Sequence, residues 1–422
     1  MMKHIKVHHL TRVEGHGNLE ARLVKGQKPE VRFSVVEAPR FFEVLLQGQD
    51  YREVTHIASR VCGICAVSHK CAALKATETA MHVSVSKQTE MLRRLAFHGE
   101  VLSSHILHIY FLAGPDYFGV PSIFPLWQSN GAMIKRAIRL KELGYSLCDS
   151  IAGRHTHPVG MTVGGFSFVP DESELQKLRE RLENALEDLA ETVRMFKEIR
   201  MPAFERKTEY VSLKHPDHYP FYDGELHSSE GETVSVQLYR DKIKERIESH
   251  STAKYARWHL PEYMVGALSR FNNNFEQLSR SARQAAADLN LSAPCFNPFM
   301  NTVAQIVECI HCVDDSIELI DRLLEYKIHS AAAQTEFRPR AGRGVGAVEA
   351  PRGTLFHDFE YDHNGKCITA NMVIPTAQNL ANLEADLKAW LPELENTDEQ
   401  GVTRNLEMLV RAYDPCISCS TH

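Results

Sequence analysis

Apolar and charged or polar positions alternate near the start of the chain. Leu19, Ala21 and Leu23 have charged residues between them, and Val31, Phe33 and Val35 repeat the pattern. A period of two marks half-buried strands, so an N-terminal antiparallel sheet is expected over about residues 4–38. From about residue 50 the spacing becomes helical. Leu175, Leu178, Leu182, Leu186, Leu189, Val193 and Phe196 recur along one face of 172–200, behind a capping-box pattern at Asp171 and Glu174. Residues 87–112 are apolar around more of their circumference, as a buried central helix would be. Ile306, Ile310, Val313, Ile317, Ile320 and Leu324 share a face of 302–325. Residues 205–250 are polar and irregular, which predicts a surface excursion. Asn364-Gly365 is a hairpin turn signal that places a second strand pair over 354–375. The fold class expected is α+β and mainly α: a helical core with a smaller β portion, in a single domain over 1–422.

Composition narrows the function classes. The chain has 422 residues, 43% apolar and 24% charged, with a net charge of −6. No basic stripe suggests a nucleic-acid partner. The longest apolar runs, such as Ile109 to Gly114, are far short of the roughly 20 residues a membrane helix needs. No export signal is visible after Lys3-His4-Ile5-Lys6, so a cytoplasmic location is expected. In a reducing compartment paired cysteines are read as metal ligands or redox groups.

Two C-x-x-C pairs stand out among ten cysteines. One is Arg60-Val61-Cys62-Gly63-Ile64-Cys65-Ala66-Val67-Ser68-His69; the other is Asp414-Pro415-Cys416-Ile417-Ser418-Cys419-Ser420-Thr421-His422. Each pair can grip one metal from a single turn, and four thiolates make a sulfur site. Spacing alone favours structural zinc. Against zinc, the pairs lie at opposite ends of a long chain, each is followed by a histidine, and the sequence stops at His422 as though the terminus were a working part. A third pair, Cys309 and Cys312, falls close to the apolar face of a helix, where cysteine acts as a small hydrophobe. Cys71, Cys148, Cys295 and Cys367 are isolated.

The two pairs carry a resemblance. Arg60 to His69 resembles the R-x-C-G-x-C-x-x-x-H signature of [NiFe]-hydrogenase large subunits, and Asp414 to His422 resembles their D-P-C-x-x-C-x-x-H terminus. Arg12-Val13-Glu14-Gly15-His16 is similar to the family's R-x-E-G-H, His108 to Asp116 to its aspartate-bearing helix, and Glu349-Ala350-Pro351-Arg352-Gly353 to its E-A-P-R-G. One motif departs: the family's R-G-F-E reads Arg40-Phe41-Phe42-Glu43 here, after Ala38-Pro39. That wording, and Met264-Val265-Gly266-Ala267 through Asn272-Asn273-Asn274, resembles the cytosolic, multisubunit, reversible branch (sulfhydrogenase, NAD(P)-linked or viologen-reducing).

The resemblance implies a large-subunit fold shared with the quinone-site subunit of respiratory complex I, and heterolytic cleavage of dihydrogen at a nickel–iron centre. Cys62 and Cys416 would be terminal nickel ligands. Cys65 and Cys419 would bridge to an iron carrying carbon monoxide and cyanide. Cys416 would take a proton and Glu14 relay it. Arg352 would hang over the metals, held by Asp116 and Asp414, while His69 donates to a bridging sulfur. Glu43, His422 and the carbonyl near Met372 would hold a Mg²⁺-like ion. The implied partners are an obligate Fe–S small subunit, flavin-, NAD(P)- or ferredoxin-linked subunits, and an endopeptidase that trims the precursor after nickel insertion. No Fe–S cluster or flavin is expected in this chain. Two rivals remain: a structural Cys₄ zinc protein, and a non-catalytic relative like the complex I subunit, which would have lost the cysteine pairs.

Overall fold

In the computed structural model, which describes residues 2–24, 26–328 and 334–422, strands β1 (Met2–Val7), β2 (Gly17–Val24) and β3 (Glu30–Val35) form an antiparallel sheet in the order β1-β2-β3. The alternation has its expected cause: Leu19, Ala21, Val31 and Phe33 are buried. Helices follow. Helix α1 (Ala66–Met81) starts directly after the first cysteine pair, and α2 (Lys87–Leu107) is buried along most of its length. Beyond α2 the chain widens into π-helical turns over His108–Ala113. Helix α3 (Glu172–Lys197) is capped by Asp171, whose carboxylate accepts from the Glu174 N–H at 2.8 Å. Its stripe faces inward except at Leu186, which is exposed.

The 205–250 stretch departs from expectation. It contains β4 (Glu209–Lys214), β5 (Glu225–Ser228) and β6 (Thr233–Val234), which join β7 (Tyr263–Met264) in a sheet ordered β7-β4-β5-β6. Val211, Leu213 and Leu226 are fully buried in an apolar cluster with Val345, Ala347 and Phe356. The segment reads as polar because its buried polar groups are paired: Glu209 accepts from the Ser228 hydroxyl at 2.6 Å and the Leu260 N–H at 2.9 Å. Its later part, about 229–249, is the surface excursion expected, with Leu238 and Ile247 exposed.

Helix α4 (Ala267–Asn274) and the long α5 (Met300–Tyr326) come next; α5 packs between α2 and α3 and buries Cys309 and Cys312. Strands β8 (Gly342–Ala350), β9 (Gly353–Tyr361) and β10 (Cys367–Val373) form an antiparallel sheet, the last two joined by the Asn364-Gly365 turn. Strand β8 was not expected. Gly342, Gly344 and Gly346 lie on α1, where an added Cβ would come within 2.2 Å of the Ala80 carbonyl oxygen, 2.3 Å of that of Ala76 and 2.1 Å of that of Ala72. Alternating glycines thus let a strand rest on a helix backbone, a contact no side chain permits. Helices α6 (Pro375–Trp390) and α7 (Glu399–Ala412) lead to the C-terminal turn. One apolar core runs from Ile5 to Cys419. No helix among the described residues is long and apolar enough to cross a membrane.

Candidate metal centre

The two cysteine pairs meet. Cys62 and Cys65 occupy the turn before α1, and the Cys65 N–H donates to Cys62 Sγ at 3.1 Å. Cys62 Sγ lies 3.6 Å from Cys416 Sγ, Cys65 Sγ 3.7 Å from Cys419 Sγ, and the Cys416 and Cys419 sulfurs are 3.0 Å apart. All four fall within 4.8 Å of one another and are buried. The backbone draws the ends together. Asp414 turns the chain out of α7 in a left-handed conformation (φ 50°), Glu14 pairs with Cys416 as a parallel bridge, and the Cys416 N–H donates to Thr376 Oγ1 at 2.9 Å. Arg40 ties both cysteine segments: one nitrogen donates to the Val61 carbonyl at 2.7 Å and to that of Ser418. Arg40 belongs to the Arg40-Phe41-Phe42-Glu43 motif, but nothing in the sequence marks this role for it, and no motif marks Thr376.

Burial works against a thiolate at Cys62, yet hydrogen bonds from Cys416, Cys419 and Cys65 draw its pKa well below the usual thiol value. At Cys65 the hydrogen bond with Cys416 pushes the pKa well up. Thiols that share protons in this way form a donor set ready to be ionised by a metal. A buried set of four soft sulfurs suits a thiophilic transition metal, nickel and iron among them.

Arg352 leans over this cluster from the β8–β9 turn. Its Nε donates to the Asp414 carbonyl at 2.8 Å, Nη2 to Asp414 Oδ1 at 2.9 Å, and Nη1 to Ser104 Oγ at 3.2 Å. Burial opposes its charge, but Asp414 and the cysteine sulfurs more than compensate and raise its pKa. Arg352, Cys65, His69, Thr376, Cys416 and Cys419 line a cavity of about 10 Å³, roughly the space of one small molecule. Asp116 does not join them. Its carboxylate bridges Arg12 and Arg411, taking Arg411 Nε at 2.8 Å. The residue of this segment that meets Arg352 is Ser104, on α2 before the π-helical turns, which leaves Asp116 farther along the chain between Arg12 and Arg411.

On the other side of Cys416, Glu14 accepts from the Ser418 hydroxyl, and from the Ser418 N–H at 3.1 Å. Burial, reinforced by the charge of Cys416, raises its pKa to about 7. His69 is fully buried, and its Nδ1 lies 3.0 Å from Nε2 of His357, a partner the sequence did not suggest. Farther back, Glu43 Oε1 accepts from the Met372 N–H at 2.8 Å, while His422 Nε2 is 3.0 Å from the Met372 carbonyl and 3.6 Å from Glu43. Burial opposes the Glu43 charge, but His422 holds its pKa below the usual value. The buried Nδ1 of His422 has no hydrogen-bond partner.

Glu100, which no sequence motif marks, caps α1 just behind the cysteines. It accepts from the Val67 N–H at 2.5 Å, the Ser68 N–H at 3.0 Å and the Ser68 hydroxyl. Burial raises its pKa from 4.5 to about 7. Folding therefore takes up a proton here between those values. The associated stability, up to about 3 kcal/mol, is complete below pH 4.5 and lost as pH rises through 7. Glu100→Gln should remove that slope: its Tm relative to wild type should rise from pH 5 to pH 8. A constant Tm difference would show that Glu100 does not titrate there.

A buried cluster of four thiols, gathered from both ends of a chain and overhung by a guanidinium, defines a metalloprotein whose site differs from a zinc module with ligands close in sequence. Comparison with known proteins makes the class specific. Residues 40–142 and 206–422 match the nickel-dependent hydrogenase family model, and the chain belongs to that family. It is 34% identical to the alpha chain of sulfhydrogenase 1 of Pyrococcus furiosus, over 99% of this chain and 97% of that protein. It is 32% identical to the alpha chain of sulfhydrogenase 2 of the same organism, over 99% and 98%. A solved structure of an NAD+-reducing [NiFe]-hydrogenase in the H2-reduced state superposes with a TM-score of 0.89 at 26% identity, covering 100% of this chain and 99% of the other.

Proposed function

We propose that this chain, a hydrogenase by family, is the catalytic subunit that splits dihydrogen heterolytically into two protons and two electrons, and can run the reaction in reverse. The observation that carries the reading is the convergence of Cys62, Cys65, Cys416 and Cys419 beneath Arg352, with Glu14 beside Cys416. The four thiolates would hold nickel, with Cys65 and Cys419 also holding an iron that carries carbon monoxide and cyanide. When bound, that centre supplies the redox-active metals at which dihydrogen is polarised. The chain's own groups do the rest. Arg352 places a fixed positive charge over the small cavity, and Asp414 holds it there. Cys416 Sγ accepts a proton, and the Glu14 carboxyl, which can be either charged or neutral near pH 7, carries it away. His69, whose Nδ1 is paired with His357, would donate its other ring N–H to a bridging sulfur. Glu43, the Met372 carbonyl and His422 offer hard oxygen and imidazole donors for a Mg²⁺-like ion that would pin the C-terminus.

Similarity to the sulfhydrogenase alpha chains and to an NAD+-reducing enzyme supports the multisubunit branch. Electrons would leave through an Fe–S small subunit on the face where Gly63 and Ile64, between two cysteines, come to the surface. A structural zinc site would need neither Arg352 nor Glu14. The purified enzyme should contain nickel and iron, with infrared bands of metal-bound carbon monoxide and cyanide that disappear when Cys65 or Cys419 is replaced by Ser. Stoichiometric zinc without those bands would overturn the reading.

A further inference from the structure

Arg270, on α4, is as buried as any residue in the chain, and none of its five donor positions is left over. Its Nε and Nη2 each donate at 2.7 Å to one oxygen of Glu308 on α5. Its Nη1 donates to Glu349 Oε2 at 3.1 Å and to the Ala350 carbonyl at 2.9 Å. The second Nη2 hydrogen goes to the Pro351 carbonyl at 3.0 Å. The guanidinium also stacks on the Phe221 ring, 5.3 Å from its centroid. Ala350 and Pro351 are the two residues immediately before Arg352. Two of the five bonds therefore fix the backbone from which Arg352 extends.

A second route leads to the same side chain. Glu308 Oε2, besides holding Arg270, lies 2.7 Å from His105 Nε2. The residue before His105 on α2 is Ser104, whose hydroxyl accepts from Arg352 Nη1. Arg352 is thus gripped at its root through Pro351 and at its tip through Ser104, and both grips pass through the Arg270–Glu308 fork. Nearby backbone is shaped to allow this. Gly266, at the start of α4, has φ 116°, and a Cβ there would sit 3.3 Å from the Arg352 carbonyl oxygen. Asn379 holds the preceding Val265 by its N–H at 2.8 Å and its carbonyl at 3.2 Å. The stretch from Met264 to Asn274, distinctive in the sequence, thereby acquires a task.

We propose that Arg270 is a positioning residue for Arg352: it sets the height and angle at which the Arg352 guanidinium stands over the metal site. The inference rests on the reading that Arg352 acts in turnover. A buried ion pair can also be simply structural, so the test separates the two roles. Lysine at 270 keeps the charge opposite Glu308 but, with three donors on one nitrogen, cannot serve five acceptors in a plane.

The experiment compares the assembled holoenzyme with Arg270→Lys, Arg352→Lys and the double variant, measuring nickel content, Tm, kcat for hydrogen oxidation and the crystal structure. Arg270→Lys should keep its nickel and lower kcat by roughly ten- to a hundredfold, the size of effect a misplacement near 1 Å produces. In its crystal structure Arg352 should have left Asp414. On the Arg352→Lys background the same change should cost less than about threefold, because the residue it positions is already gone. An equal fold-loss on both backgrounds, or an Arg352 that has not moved, overturns the proposal. Near-normal activity of Arg352→Lys alone overturns the reading of Arg352 and the proposal with it. Should Arg270→Lys not accumulate, Glu349→Gln weakens the same fork by one charged acceptor; its smaller loss must likewise vanish on the Arg352→Lys background, and a loss that persists there refutes the idea.

Discussion

Glu14→Gln is expected to reduce dihydrogen turnover by about 10²- to 10⁴-fold, the usual range for losing a positioned proton-transfer group, with nickel, iron and infrared bands unchanged. Glutamine keeps the shape of the side chain: its carbonyl oxygen can accept from the Ser418 N–H and its amide NH2 can donate to the Ser418 hydroxyl, the two groups from which Glu14 accepts now. What it loses is exchange of a proton at working pH. Burial and the charge of Cys416 place the Glu14 pKa at about 7, so the wild-type carboxyl can take a proton from the sulfur and release it again without a large energetic step. Because the group is not a ligand, assembly should not depend on it. The measurement is hydrogen oxidation together with hydrogen–deuterium exchange, each against pH. Rates close to wild type in both assays would assign the relay elsewhere.

The parts of this molecule that could be read from the sequence are those whose physics is local. Alternation marked β2 and β3 because one face of that sheet meets the core, and Asp171 marked the start of α3 because a cap is a contact across three residues. The cysteine pairs were legible because two ligands on one turn need a fixed spacing. Contacts between distant segments leave no such trace. Arg40 reaches backbone carbonyls of both cysteine segments, and a carbonyl has no sequence signature. Strand β8 is written in glycines, which argue against a strand until the helix under it is known. Asp116 shows the converse error. A motif carboxylate is readily matched with the arginine of another motif, but the structure gives it Arg12 and Arg411, while Arg352 meets Ser104 on an earlier turn of the same stretch. The 205–250 stretch misleads for another reason: polar residues such as Glu209 are buried with partners from 228 and 260, so composition overstates its exposure.

The chain expressed without partners is expected to reduce no physiological acceptor with hydrogen, whatever the state of its metal site. Each dihydrogen releases two electrons at a cluster whose four sulfurs are buried, Cys416 and Cys419 most deeply, and electrons must leave through further redox groups. Among the described residues the four site cysteines are the only group of three or more His, Cys, Asp or Glu side chains placed to share one metal ion. Cys71 and Cys148 are buried, as are Cys309 and Cys312, and in each burial raises the thiol pKa, which disfavours the thiolate an iron–sulfur cluster requires. Nor does the sequence contain a dinucleotide-binding glycine fingerprint in a strand-to-helix setting. On the reading proposed above, the wiring would come from another polypeptide, docked at the turn that exposes Gly63 next to Cys62. The test matures the chain with its processing proteins, with and without an Fe–S small subunit. Hydrogen-driven reduction of NAD(P) and of a viologen dye is then assayed. Full reduction of NAD(P) by the single polypeptide would refute the prediction, whereas return of acceptor reduction only when the partner is added, and its renewed loss on placing a charged Arg at Gly63, would place the electron exit at that turn.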